Sequence, residues 1–146
     1  MKAIVVTDQA AGTAGMTLVE RPEPPAAIND VIVQIHASGF VPTEMEWPST
    51  WTDRAARDRT PSIPGHELAG VVTALGYGTT GLSVGQRVFG LTDSYRGGGL
   101  AEYVRCVRHR HRTRWKTSAW STWFSMPSAA TSRSGPRVWF GPGKRW

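Results

Sequence analysis

Residues 64–72 read Pro64-Gly65-His66-Glu67-Leu68-Ala69-Gly70-Val71-Val72, a turn dipeptide followed at once by apolar and β-branched side chains. A second stretch has the same order, since residues 81–88 read Gly81-Leu82-Ser83-Val84-Gly85-Gln86-Arg87-Val88. Pro and Gly mark turns, whereas Val and Leu between turn signals favour a strand. The two stretches therefore predict strands over residues 66–75 and 86–90.

Further short runs of the same kind extend outward in both directions. They predict strands over residues 2–6, 16–20, 30–38 and 100–104. The run at 30–38 is the clearest, because Val31, Val33, Ile35 and Ala37 alternate onto one face. Only residues 43–47 and 53–57 look helical, and both segments are brief. The predicted fold is mainly β: a small, partly open barrel or a sandwich with short helices.

Length and composition exclude several classes of protein. The chain has 146 residues and a mass of 16.0 kDa, which corresponds to one domain, or a small domain with an appendage, and not to a complete two-domain enzyme. No run approaches the roughly 20 apolar residues of a membrane span, and the N-terminal apolar patch is too short for a signal peptide. A cytoplasmic location is the default expectation. Cys106 is the only cysteine, which excludes an intrachain disulfide and a cysteine-based zinc framework.

The charge is divided unevenly along the chain. Residues 1–102 carry 7 basic and 11 acidic side chains, whereas residues 103–146 carry 10 basic side chains and no acidic one. From residue 105 onward there is no Leu and no Ile, although five of the seven tryptophans lie there. Such a segment has few branched side chains from which to build a core. We therefore expect residues 105–146 to be an irregular or disordered basic tail rich in Arg and Trp.

One motif is deceptive. Residues 76–81, Gly76-Tyr77-Gly78-Thr79-Thr80-Gly81, match G-x-G-x-x-G literally. A dinucleotide site also needs a helix that opens at the third glycine, because its N-terminus holds the pyrophosphate. The residues that follow predict a turn and a strand instead. We therefore interpret this motif as a turn between strands and assign no cofactor-binding residue.

The stretches at 64–72 and 81–88 closely resemble the N-terminal, GroES-like domain of the medium-chain dehydrogenase/reductase superfamily, which includes zinc alcohol dehydrogenases and NADPH:quinone oxidoreductases. Three further segments fit in the expected order: Met1-Lys2-Ala3-Ile4, His36-Ala37-Ser38-Gly39 and Gly99-Leu100-Ala101-Glu102-Tyr103-Val104. The resemblance spans residues 1 to about 104, which we assign to a GroES-like domain. It implies that this domain forms one wall of a cleft, and that a separate Rossmann domain holds NAD or NADP.

The resemblance also implies where zinc would bind in the zinc-dependent members. Val41 stands at the position of the metal-ligating cysteine, and His66 stands at that of the second ligand. A valine cannot bind zinc, and one imidazole falls short of the three protein ligands of a catalytic site. The lobe of four cysteines that binds structural zinc in many relatives is missing as well. We expect no zinc, and a member of the zinc-independent, quinone oxidoreductase-like branch.

Thr43 and His66 are the catalytic candidates. By the resemblance, Thr43 occupies the place of a hydroxyl that relays a proton to the substrate, although it could equally cap the helix at 44–47. His66 could donate a proton to a substrate oxygen. The alternative, which we favour, is that His66 caps the Pro64-Gly65 turn. Glu67 is expected to be a buried partner of backbone amides or of an arginine.

Phe40, Val41, Trp47 and Trp51 are the candidate substrate-binding residues. Aromatic walls suit a planar quinone or enone and exclude water, although one or two of these rings could simply close the end of the barrel. The resemblance implies hydride transfer from a nicotinamide to a carbonyl, quinone or enone. Since no stretch here fits a pyrophosphate, we expect the 146 residues alone to be a truncated enzyme that neither binds NAD(P)H nor reacts. A homo-oligomeric parent is left open.

Two hypotheses account for the tail, which begins Arg105-Cys106-Val107-Arg108-His109-Arg110-His111-Arg112. A shifted reading frame in a GC-rich coding sequence would produce this composition, and translation of the same DNA in the other frames after Val104 tests that idea. The alternative function is a basic module that binds nucleic acid, with arginines on phosphates and tryptophans on bases. Such binding would weaken steeply as salt rises.

Overall fold

The computed structural model describes residues 1–93 and 95–107, together with the backbone of a strand at residues 137–139. These residues form one sheet of two strands and one sheet of five. The described part is mainly β with short helical turns, as predicted, and its sheets do not close into a barrel. None of its helices is long and apolar enough to cross a membrane.

The strands in chain order are β1 (Lys2–Val5), β2 (Thr17–Glu20), β3 (Asp30–Gly39), β4 (Glu67–Leu75), β5 (Arg87–Leu91), β6 (Tyr103–Val107) and β7 (Arg137–Trp139). Between β3 and β4 lie a 3₁₀ turn, Pro42–Glu46, and the single-turn helix α1, Pro48–Trp51. Another 3₁₀ turn, Gly12–Gly15, joins β1 to β2. Five of the predicted strands lie within about two residues of their observed bounds.

The strand predicted over residues 100–104 is displaced. It begins at Tyr103 and runs on to Val107, where it pairs with Asp30 of β3. Residues 100–102 turn instead towards β1, because Ala101 forms a bridge with Ala3 and the Leu100 carbonyl accepts the Ile4 N–H at 2.8 Å. The prediction was wrong about where this strand starts and ends, since period-2 alternation does not say which partner a strand follows.

The five-stranded sheet has the order β5-β4-β3-β6, with β7 as a further partner of β3. All of its pairs are antiparallel except β3 with β7. Alternate side chains from the central strands bury one face and form the main core, which comprises Val31, Val33, Ile35, Leu68, Val72, Val88, Val104 and Cys106. Gly70 allows β3 and β4 to pair closely, since a Cβ there would lie 1.9 Å from the Gln34 carbonyl oxygen.

A β-bulge changes which side chains of β3 face inward. Ile35 pairs with Gly70 but Ala37 pairs with Ala69, so β3 holds one extra residue at this point. Before the bulge the buried positions include Val31, Val33 and Ile35, whereas after it Ser38 and Phe40 are buried and Ala37 is only half-buried. The prediction that Ala37 shares the face of the three earlier residues is therefore corrected, because a bulge shifts the alternation by one residue.

The predicted turn at residues 76–81 is present. Gly78 and Gly81 have φ values of 83° and 70°, a left-handed conformation that favours glycine. No helix opens at Gly81, and the chain turns and enters β5 at Arg87.

The helix predicted over residues 53–57 is absent. The Asp53 carboxylate accepts the backbone N–H groups of Ala55 and Arg57, and the Arg57 guanidinium closes on it as well. Ala56 has a φ of 58°, which no right-handed helix contains. A side chain that takes up nearby N–H groups competes with helix formation, so this segment is a turn.

Candidate functional site

The candidate site lies where the end of β3 passes into the 3₁₀ turn and α1, opposite the start of β4. A second cluster of buried apolar side chains packs beneath it: Val6, Phe40, Met45, Trp51 and Leu100. Gly65, with a φ of 91°, makes the turn that leads into His66. A Cβ on Gly65 would come within 3.1 Å of Leu100, so glycine also permits the close approach of this turn to the cluster.

Buried hydrogen bonds fix the 3₁₀ turn against α1. The Thr50 hydroxyl donates to the Glu44 carbonyl oxygen at 2.6 Å, and the Trp51 indole N–H donates to the Met45 carbonyl oxygen at 2.7 Å. At the start of the turn, Glu44 Oε1 accepts the Val41 N–H at 3.1 Å. Pro42 at the first position and Glu44 at the third suit a helical N-terminus. The position of the Glu44 side chain is therefore set by its hydrogen bond within the same turn.

His66 and Glu44 form a buried pair. His66 is 8% exposed and Glu44 is 4% exposed, and His66 Nε2 lies 3.7 Å from Glu44 Oε2. This distance is too long for a hydrogen bond. Among the described residues, neither ring nitrogen of His66 nor Oε2 of Glu44 has a hydrogen-bond partner. Buried polar atoms almost always have partners, so these three atoms mark a candidate binding site.

Burial favours the neutral form of both groups. It raises the pKa of the Glu44 carboxyl above its usual 4.5, an effect opposed by the N–H groups of Val41 and Gly65. Burial also lowers the pKa of the His66 imidazole below its usual 6.5, and the nearby positive charge of Arg59 acts in the same direction. At neutral pH, His66 is therefore a neutral imidazole that can donate one hydrogen bond and accept another.

The four predicted substrate-binding residues divide into two pairs. Phe40 and Trp51 are buried in the cluster beneath the site. Val41 is 50% exposed and Trp47 is 42% exposed. The Trp47 ring stacks on His66, with centroids 5.0 Å apart and planes inclined by 12°. The structure thus brings Trp47, His66 and Glu44 together and leaves one flank of the indole open to solvent.

The other two candidates are exposed residues that adjoin the buried pair in sequence. Thr43 is exposed on the 3₁₀ turn, and the residue that caps the turn is Val41, so the alternative role of Thr43 as a cap is excluded. Glu67 was predicted to be buried, and that is wrong. It is exposed, because it begins β4 on the outer face and covers Gly39, where a Cβ would lie 2.1 Å from its Oε2. The buried carboxylate of this site is that of Glu44.

Sequence reasoning missed Glu44 and Thr92. The Thr92 N–H donates to the His66 carbonyl oxygen at 2.7 Å, and its hydroxyl is buried without a partner among the described residues. The spacing Val41-Pro42-Thr43-Glu44 was a signal for a capped turn, but no local pattern places Glu44 against a histidine 22 positions further along the chain. Thr92 follows β5 and carried no signal.

An open pocket of about 430 Å³ lies at the end of α1 and contains neither His66 nor Glu44. It is lined by Thr52, Asp53, Arg54, Ala56 and Tyr95. Its charges are already paired, since Arg54 contacts Asp93 at 2.8 Å and Arg57 contacts Asp53 at 2.7 Å. These ion pairs hold the loop in place, and the pocket does not identify a ligand.

The residues at the site do not fit a zinc ion. Val41 has no donor atom and is directed to the surface, which leaves His66 as the single imidazole. In the part of the chain that the structure describes, no three His, Cys, Asp or Glu side chains are grouped so as to hold a metal ion.

Most of the basic tail lies outside the described residues, including the arginines and the two histidines from 108 to 114 and Trp115. Arg105 is described, and it belongs to the fold. It pairs with Ile32 as part of β6, and its Nε lies 3.6 Å from a carboxylate oxygen of the buried Asp30. Arg105 is therefore engaged in the sheet.

Comparison with known proteins identifies the class. The family described as the alcohol dehydrogenase GroES-like domain matches residues 27–115. The chain is 40% identical to an L-threonine 3-dehydrogenase of Saccharopolyspora erythraea over 62% of this chain and 25% of that protein. It is 35% identical to the human quinone oxidoreductase over 56% of this chain and 23% of that protein.

The fold agrees with these matches. An alcohol dehydrogenase superfamily protein from Novosphingobium aromaticivorans superimposes with a TM-score of 0.60 and 31% identity, covering 73% of this chain and 32% of the other. The chain belongs to the alcohol dehydrogenase GroES-like domain family, within the medium-chain dehydrogenase/reductase superfamily. It spans about a quarter of the length of the curated relatives named above.

Proposed function

We propose that residues 1–107 form the substrate-side domain of an NAD(P)H-dependent, zinc-independent oxidoreductase that reduces a carbonyl, quinone or enone. The observation that carries this proposal is the buried His66–Glu44 pair, whose facing atoms have no partner within the described residues and whose imidazole lies under an accessible indole. The similarity to quinone oxidoreductases and to an alcohol dehydrogenase superfamily protein supports the reaction class.

In this proposal the chain's own residues bind and polarise the acceptor. A nicotinamide coenzyme, held outside the described residues, would supply the hydride. A neutral His66 donates a hydrogen bond to the acceptor oxygen, where negative charge develops as hydride arrives. Trp47, which stacks on the His66 ring, shields the acceptor oxygen from water. Burial raises the pKa of the Glu44 carboxyl, and Glu44 exchanges with His66 the proton that the reduced oxygen needs.

Thr43 and Val41 have supporting roles in the proposal. Thr43 lies one residue from Glu44 on the exposed side of the turn, where its hydroxyl can pass a proton between solvent and acceptor. Val41, half-exposed beside the turn, presents apolar surface to the acceptor. Phe40 and Trp51 act from beneath, because they hold the turn in place.

The test is acceptor binding to the 146-residue chain without coenzyme. Duroquinone is titrated into protein with ¹³C-labelled histidine, and we expect the His66 ring signals to shift. His66→Gln should weaken binding about fivefold, as expected for the loss of one hydrogen bond of about 1 kcal/mol. The matched control is His36→Gln, since His36 is an exposed histidine of β3. Equal binding by the wild type and His66→Gln would overturn the proposal.

A second arm addresses the coenzyme. NADPH is added to the same samples, and we expect neither a change in its fluorescence nor its oxidation. Oxidation of NADPH by the chain alone would contradict the division of labour between two domains.

A further inference from the structure

The two edges of β3 are covered in different ways. Along one edge, β4 pairs with β3 from Val31 to Ala37. Along the other edge, β6 pairs only with residues 30–34, and the short strand β7 pairs with residues 37–39. The second half of this edge is thus covered by a strand from far along the chain.

This half of the edge is left to β7 because the chain before β6 changes its pairing partner from β3 to β1 at Glu102. The Glu102 carbonyl oxygen accepts the Ile35 N–H at 2.8 Å, which is the last bond to β3. Its own N–H donates to the Lys2 carbonyl oxygen at 3.0 Å, which already belongs to β1. The segment before β6 therefore follows β1 and leaves the backbone of Ala37–Gly39 for another strand. An unpaired edge is a template for any extended segment that reaches it.

The sequence around β7 suits pairing with the short edge segment Ala37–Gly39. Residues 135–142 read Gly135-Pro136-Arg137-Val138-Trp139-Phe140-Gly141-Pro142, a run of strand-forming residues bounded by Gly-Pro at both ends. Proline cannot donate to a ladder, so the pattern restricts pairing to about the three or four residues between the two prolines. The observed pairing is parallel, with Ala37 opposite Arg137 and Gly39 opposite Trp139.

We propose that the edge of β3 at Ala37–Gly39 is a docking site for an extended peptide segment, and that residues 137–139 of the same chain occupy it and close it against a second copy. Val107 lies opposite Asp30 and Arg137 opposite Ala37, a separation of about 23 Å along β3. Residues 108–136 are more than long enough to cover it. A tether gives a local concentration of roughly millimolar, so at 10 μM protein the intramolecular partner is favoured about 100-fold.

The experiment is hydrogen exchange on the full chain with Val138→Pro, which places a residue that disfavours strand pairing at the centre of β7. The matched control is Ser128→Pro, a proline in the same tail outside β7. We expect amides 37–39 to exchange about tenfold faster in Val138→Pro, while amides 30–34 stay as in the wild type. Ser128→Pro should change neither group. Equal exchange at 37–39 in both variants would overturn the proposal.

Two further measurements establish the occupant. A synthetic peptide of residues 135–142, added to Val138→Pro, should slow exchange at 37–39 again. Light scattering should show a monomeric wild type and a larger dimer fraction for Val138→Pro. A wild type that is dimeric at 10 μM and loses protection of 37–39 on dilution would show that the strand comes from a second copy, and would overturn the intramolecular assignment.

Discussion

Removing the hydroxyl of Thr50 should loosen the turn that holds Glu44 against His66. Thr50 is buried, and its Oγ1 donates a 2.6 Å hydrogen bond to the Glu44 carbonyl oxygen. Thr50→Val keeps the shape of the side chain but leaves that carbonyl with only the weaker bond from the Trp47 N–H at 3.2 Å. Loss of a buried partner costs about 1–3 kcal/mol, and the remaining bond places the expected loss at about 1–2 kcal/mol.

Thr52 supplies the matched control within the same segment. Its Oγ1 donates to the Pro48 carbonyl oxygen at 3.0 Å, but this bond is exposed and water can replace it. Thr52→Val should therefore cost only a few tenths of a kcal/mol. Urea unfolding followed by circular dichroism measures the free energy of unfolding of both variants. In thermal unfolding, a loss of 1 kcal/mol would lower Tm by about 4–8 °C for a domain of this size. If Thr50→Val is no less stable than Thr52→Val, the buried bond does not support the turn.

Two other predictions concern the sheet and the histidine. Gly70→Ala should lower the free energy of unfolding by more than about 3 kcal/mol or prevent folding, because its Cβ would lie 1.9 Å from the Gln34 carbonyl oxygen. The control is Gly97→Ala, whose Cβ would have its nearest neighbour 3.9 Å away, and it should change the free energy of unfolding by no more than about 0.5 kcal/mol. Urea unfolding separates them, and equal stability of the two variants would contradict the close pairing of β3 and β4. Burial lowers the pKa of His66 in the folded chain. Below about pH 6.5, therefore, the unfolded chain binds a proton that the folded chain does not. The free energy of unfolding should fall as the pH falls through that window. Comparing pH 7.5 with 5.5, His66→Gln should show a smaller fall than the wild type, and an unchanged fall would show that His66 does not cause it.

The sequence predicted the sheet well because its signals are local. Turn dipeptides and β-branched runs placed β4 and β5, and the turn at 76–81 was recognised from the strand that follows it. The family resemblance rested on the same segments and is confirmed by the comparisons. Local signals failed where a strand changes partner, as at residues 100–102, and where an aspartate competes for N–H groups, as at Asp53.

The site was only partly predictable. His66 and Trp47 could be singled out from their residue types, but the pair that His66 forms with Glu44 depends on tertiary packing between the 3₁₀ turn and β4. Burial of Glu44 and exposure of Glu67 are likewise set by which face each residue takes after the bulge and at the start of β4. No spacing rule contains that information, so the sequence alone does not show which of the two carboxylates, Glu44 or Glu67, is buried at the site.

The extra residue in β3 also affects how this scaffold would tolerate redesign. Upstream of it, the odd-numbered Val31, Val33 and Ile35 belong to the main core, whereas downstream the buried positions are the even-numbered Ser38 and Phe40. A library that diversifies the strand under one uniform parity would therefore place hydrophilic groups inside at one end or the other. Deleting the codon of His36 would remove the extra residue, so that Ile35, Ser38 and Phe40 would follow one regular alternation and keep their inward positions. A deletion elsewhere in β3 would keep the bulge and shift the side chains between the deletion and the bulge by one position.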